Sequence, residues 1–201
     1  MAAELLVEDR IDGGRDLIAR LVRDGFDVTV AFWVWMSEEE LCFLYIASPA
    51  VTAGSLGDAY RAVYVSLSQV ADPGVSISEI KLVESANPIA RDALKIRDRY
   101  RARLPTRYRG DRLGNLAIQE AYIYPSSAEM NRQDVLQTVT SLMERTGSVQ
   151  PSQVTLRDGS TLTAIPVGLH VQQPDGVQVT FRNVTTGNDQ SVSADEIQRI
   201  Q

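Results

Sequence analysis

The chain has 201 residues, 44% of them apolar, and its 20 basic and 26 acidic side chains leave a net charge of −6. That apolar content supports a packed core rather than wholesale disorder, and the length suits one large domain or a medium domain with a small module. Cys42 is the only cysteine and His170 the only histidine, which excludes an intrachain disulfide and any zinc site needing several such ligands from one chain.

The N-terminal stretch, residues 1–8, is short and acidic and lacks the basic-then-apolar order of a secretory leader. The first helix is expected over residues 4–23, where Val7, Ile11, Ile18, Leu21 and Val22 share a face. Gly13-Gly14 in its middle marks close packing or a kink, and Gly25 ends it. Residues 26–36 and 41–47 read as two strands joined by Ser37-Glu38-Glu39-Glu40, the first apolar on both faces through Phe32-Trp33-Val34-Trp35. The glutamates read as a solvated turn rather than a metal site. Apolar runs of seven residues, at 30–36 and 41–47, are the longest. A membrane-spanning helix needs about 20, so no membrane partner is expected; the single cysteine fits a reducing cytoplasm, the expected compartment.

Residues 56–70 carry the cleanest helical period, with Leu56, Ala59, Tyr60, Val63, Tyr64, Leu67 and Val70 as a core stripe. Ser55 with Asp58 makes an approximate capping box. Gly54-Ser55-Leu56-Gly57 does not have the spacing of a nucleophile elbow. Asp72-Pro73-Gly74 stops the helix, and residues 75–84 read as a strand. Asn87-Pro88 then supplies an N-cap and first-turn proline for a helix running to about Leu104. Residues 113–124 alternate as a strand through Leu116, Ile118, Glu120, Tyr122 and Tyr124. Ser126 with Glu129 opens a last helix that stops at Gly147. The expected fold class is α+β, a mixed sheet with packed helices over residues 1–147.

Residues 148–152 read as a linker, and beyond them the period falls to two. Strands are expected at 154–156, 161–171, 177–181 and 190–192, with turns at Asp158-Gly159, Pro174-Asp175-Gly176 and Gly187-Asn188, and Ile197 and Ile200 closing the chain. The pattern VTLRDGSTL…GVQVTFRN…DEIQRI resembles the small SH3-like and Sm-like barrels. The resemblance covers residues 153–201 and implies a small C-terminal β-barrel that binds RNA or peptide, often as a ring-forming subunit.

The richest signal is residues 91–112. Arg91, Lys95, Arg97, Arg99, Arg101, Arg103, Arg107, Arg109 and Arg112 face only three aspartates there, a net of +6 in an acidic chain. On a helix, Ile89, Ala93, Ile96, Tyr100 and Leu104 form an apolar stripe with Arg91, Lys95 and Arg99 opposite. Arg101 and Arg103 flank it, and Arg107, Tyr108, Arg109 and Arg112 follow. Arginine's planar fork suits bidentate contacts to phosphate or carboxylate. These side chains, Arg97 apart, are the candidate polyanion-binding residues. The partner is expected to be nucleic acid, ahead of an acidic protein or a second copy of the chain. The competing possibility is a solvated helix whose charges pair within the molecule.

Catalytic signals are sparse. There is no phosphate loop or dinucleotide fingerprint, and no cofactor is implied. Glu79-Ile80-Lys81 resembles the E-x-K half of a restriction-endonuclease-like site, which implies a metal-dependent nuclease as a remote alternative. The favoured function is a non-catalytic interaction protein. Its alternative is an assembly or adaptor subunit with Trp33 and Trp35 at a protein interface.

Overall fold

Helix α1, Glu8–Arg23, buries Ile11, Leu17, Ile18 and Leu21 along one face. The computed structural model describes residues 8–36, 41–70, 73–99, 104–145, 150–172 and 176–201. Gly13-Gly14 lies inside α1 because neighbours press on it. A Cβ on Gly13 would sit 1.7 Å from the Pro73 carbonyl oxygen, and one on Gly14 would sit 2.3 Å from the Tyr124 hydroxyl. The pair is a close-packing device, and the helix runs through it.

The chain divides into two compact units, Met1–Ser127 and Ala128–Gln201. In the first, strands β1 (Val30–Trp35) and β2 (Cys42–Ser48) form an antiparallel pair. Helix α2 (Leu56–Leu67) and a short 3₁₀ turn (Ile77–Glu79) lead to β3 (Ile80–Glu84), which lies parallel to β2. Helix α3 (Pro88–Arg99) follows, started by Asn87, whose Oδ1 accepts from the Ile89 amide at 3.0 Å. Four short strands complete the unit: β4 (Thr106–Tyr108), β5 (Arg112–Leu113), β6 (Leu116–Ala117) and β7 (Glu120–Ile123). The mixed sheet has the order β3-β2-β1-β7-β4, and β5-β6 is a separate hairpin.

Strand β1 is central, and Val30, Ala31, Phe32, Trp33 and Val34 are all buried. Val30, Phe32 and Val34 face α3, where they meet Ile89, Ala90, Ala93, Leu113, Ile118, Ala121 and Ile123. Trp33 faces the other way. Its Nε1 donates to the Tyr124 hydroxyl at 2.9 Å, which in turn donates to the Ile11 carbonyl of α1 at 2.6 Å. Alternation thus distributes one apolar run between two helical layers.

Several expected elements change. The strand expected over 113–124 is interrupted, because Gly114 takes φ +58° in the turn joining β5 and β6. Ser55 makes no side-chain cap on α2; its hydroxyl donates to the Ala50 carbonyl at 2.6 Å, while Asp58 pairs with Arg61. The α2 stripe is only partly core, since Tyr64 is 60% exposed.

In the second unit, helix α4 (Ser127–Glu144) precedes five antiparallel strands. These are β8 (Ser152–Leu156), β9 (Thr161–Gln172), β10 (Gly176–Asn183), β11 (Asp189–Ser193) and β12 (Ile197–Ile200). Val135 and Val139 of α4 pack with Val154, Ala164, Val179, Phe181, Val192 and Ile197. The small β-barrel, and with it the SH3-like or Sm-like assignment of residues 153–201, is overturned here. The sheet order is β11-β10-β9-β8-β12, with β11 and β12 as its two ends and no ladder between them. A barrel would require those ends to exchange backbone hydrogen bonds. Instead α4 supplies apolar side chains to the core of the open sheet, so closure is not needed to bury it. The fold class is therefore α+β, a mixed sheet with packed helices and an open antiparallel sheet.

Candidate polyanion-binding surface

Helix α3 sorts its cations by face. Arg91, Lys95 and Arg99 are exposed, one turn apart, while Ile89, Ala90 and Ala93 are buried beneath them. Arg97 belongs to the buried side: its side chain is 11% exposed, and Nη1 donates to the Thr29 carbonyl at 2.8 Å while Nε donates to Asp98 at 3.0 Å. It ties α3 to the chain entering β1 and is not a surface cation. Lys95 pairs with Asp92 at 3.0 Å, whereas Arg91, Arg99 and Arg112 make no ion pair among the described residues.

Asp92 has a second task. Its Oδ2 accepts the Gly114 amide at 3.1 Å, which fastens the β5-β6 hairpin to α3. A Cβ on Gly114 would lie 2.7 Å from the Ile89 backbone, so the turn lies directly on the helix. Arg112 stands two residues before that turn and is exposed. The Lys95 hydrogen bond, foremost, holds the Asp92 carboxyl below its usual range, with burial opposing and the Gly114 amide assisting.

Arg107 and Arg109 do not join this surface. Arg107 is in register with Tyr122, which is in register with Trp33, so Arg107 lies on the side of the sheet away from α3. Its guanidinium sits 5.9 Å from the Tyr122 ring centroid and 3.3 Å from Glu120 Oε1. Arg109 reaches the same oxygen at 3.6 Å. Tyr108 points to the α3 side, packs against the core and is not an exposed ring between two arginines. Arg101 and Arg103 lie outside the described residues, as do Tyr100 and the Ser37-Glu38-Glu39-Glu40 turn.

Glu120, 1% exposed, is the residue that sequence reasoning missed. The alternation of residues 113–124 marks it only as a strand position. The available signal was a lone carboxylate on the same phase as Tyr122 and Tyr124, downstream of two unpaired-looking arginines.

The remaining candidates are engaged elsewhere. Glu79 accepts the Ser76 amide at 2.8 Å and pairs with Arg10 of α1 at 2.8 Å, while Lys81 sits 4.6 Å over the Phe43 ring. The two do not converge on a common point, and no group of three or more His, Cys, Asp or Glu able to hold a metal occurs among the described residues. Arg20 of α1 pairs with Asp24 at 2.9 Å and also donates to Gln69. Cys42 is buried, which pushes its thiol up to about 11 against the pull of Arg10. A thiol held that high is protonated at neutral pH and a poor nucleophile. Trp33 is fully buried, so it cannot form the interface expected of an adaptor, and Trp35 is half-buried. No described helix is long and apolar enough to cross a membrane.

The chain matches no family model, no curated protein and no solved structure. Its function is therefore argued from these side chains alone.

Proposed function

We propose that this is a non-catalytic interaction protein in which the exposed face of α3 binds a polyanion, nucleic-acid backbone in particular. The observation that carries the reading is the stripe of Arg91, Lys95 and Arg99 on a helix whose opposite face is core. Arg91 and Arg99 make no ion pair among the described residues, and the Lys95–Asp92 pair is exposed and easily exchanged. Arg112 extends the surface from the hairpin that Asp92 holds against the helix. Arginine's paired donors favour phosphate over a point-charge contact.

Fluorescence anisotropy with labelled single- and double-stranded oligonucleotides tests this. Four phosphate contacts, from Arg91, Lys95, Arg99 and Arg112, at a slope near −0.9 each imply an affinity loss of about 150-fold between 50 and 200 mM salt. Reversing Arg91, Lys95 and Arg99 to glutamate removes the binding. No signal for any oligonucleotide at 50 mM salt defeats the nucleic-acid reading and leaves an acidic protein as the partner to be tested.

A further inference from the structure

Glu120 is the only buried carboxylate among the described residues, and the guanidiniums of Arg107 and Arg109 both lean on its Oε1, at 3.3 and 3.6 Å. The two arginines themselves remain 44% and 74% exposed. An oxyanion held between two guanidiniums is the arrangement in which arginine binds a phosphate oxygen. We propose that Glu120 is an internal stand-in for the polyanion, masking Arg107 and Arg109 so that, among the described residues of the basic run, the native surface consists of the α3 and hairpin cations. The proposal rests on the polyanion reading above and adds an autoinhibitory contact to it.

The asymmetry between the two groups of arginines is physical. Arg91 and Arg99 leave solvent to meet a phosphate. Arg107 must leave a carboxylate that is 1% exposed and sits opposite Trp35 in the sheet. A buried charge stripped of its partner is strongly unfavourable. A phosphate at Arg107 must therefore offset that loss, whereas at the α3 face it displaces only the solvent-exposed Lys95–Asp92 pair. Glu120 is held in place by backbone pairing, since β7 lies between β1 and β4. β4 is the sheet edge, so its side chains can turn to solvent once substitution removes the Glu120 charge.

Glu120→Gln keeps the side-chain shape and removes the charge. Oligonucleotide anisotropy on the full chain is expected to show tighter binding. Two added contacts also make the affinity loss between 50 and 200 mM salt about tenfold larger than in the native protein. The triple variant E120Q/R107Q/R109Q returns to native affinity. In the otherwise native chain, Arg109→Gln changes affinity by less than about twofold, whereas Arg91→Gln removes one contact's worth of salt dependence. The Arg109→Gln comparison does not depend on E120Q folding. Affinity unchanged or weakened in a folded E120Q protein, or a loss in R109Q equal to that in R91Q, overturns the masking. If the native protein binds and the α3 charge reversal abolishes it while E120Q changes nothing, only the masking fails. If native protein and E120Q are both silent at 50 mM salt, the polyanion reading fails and the masking with it.

Discussion

Two five-stranded sheets organise this chain, and they bury themselves differently. The first is mixed, with α1 on one face and α3 on the other, and consecutive residues of its central strand β1 are buried regardless of the face they take. The second is antiparallel with an apolar face around Val179 and Phe181 that packs with α4, while Thr180 and Arg182 point away and Arg182 is exposed. The same number of strands therefore needs two apolar layers in one case and a single one in the other. That is why β1 reads as an unbroken apolar run and β10 reads as an alternation.

The sharpest way to break this comparison is to truncate neighbours along each strand. Phe32→Ala and Trp33→Ala, adjacent but on opposite faces, are each expected to cost about 3–5 kcal/mol in denaturant titrations. In the second sheet Phe181→Ala costs as much, but Arg182→Ala leaves the melting temperature unmoved. Its ion pair with Asp189 lies in solvent. A tolerated Trp33→Ala would show that the first sheet has only one buried face.

A smaller effect comes from the polar links inside each layer. Tyr124→Phe strips the Trp33 indole of its acceptor and removes the second hydrogen bond to the Ile11 carbonyl, in the buried layer under α1. Leaving buried partners unsatisfied costs about 1–3 kcal/mol. The corresponding link in the second sheet, Thr180 with Ser191 at 2.9 Å, is exposed. Thr180→Val is expected to stay within about 0.5 kcal/mol of the native protein. Thermal melts of the two variants side by side check the contrast. Equal costs would mean that the outer face of the second sheet is not solvent-facing.

Much of this was legible because it depends on local chemistry. Asn87-Pro88 announces α3, and the five C-terminal strands follow from alternation broken at Gly159 and Gly187, both at positive φ. What escaped depends on long-range pairing. Nothing local says that β3 lies parallel to β2 across α2, or that the β11 and β12 ends stay apart. Val135 and Val139 sit on a helix that reads as the end of the first unit, yet they pack in the core of the second. The basic run shows the same limit. Its helical half could be placed by period, but the face taken by Arg107 is fixed by register with Tyr122, fifteen residues away in sequence. Glu120 was hidden for that reason too, since a carboxylate's burial is visible only once its arginine partners are placed.

A further modest effect concerns the hairpin that completes the α3 face of the first sheet. Leu113 and Ile118 belong to that core, and the hairpin holding them is fastened by Asp92 through the Gly114 amide. Asp92→Ala removes this acceptor and the Lys95 pair together. Because Asp92 is 41% exposed, solvent screening keeps the ionic part below about 1 kcal/mol. The pH dependence fixes the origin of the effect. The folded-state carboxyl is held below its unfolded value of about 3.9, so its charge stabilises the fold above that pH and stops doing so as pH falls through the lowered value. The stability gap between native protein and Asp92→Asn is therefore full at pH 7 and closes in acid, whereas the gap to Asp92→Ala keeps the part due to the Gly114 hydrogen bond. Denaturant titrations of the three proteins from pH 7 to pH 2 separate the contributions. A gap for Asp92→Asn that is constant across this range would show that the charge contributes nothing and that the hairpin is held by the neutral hydrogen bond alone. In the second unit, Asp189 is likewise held low by Arg182, but it anchors only the edge strand β11, and its neutralisation is expected to leave the core around Phe181 undisturbed.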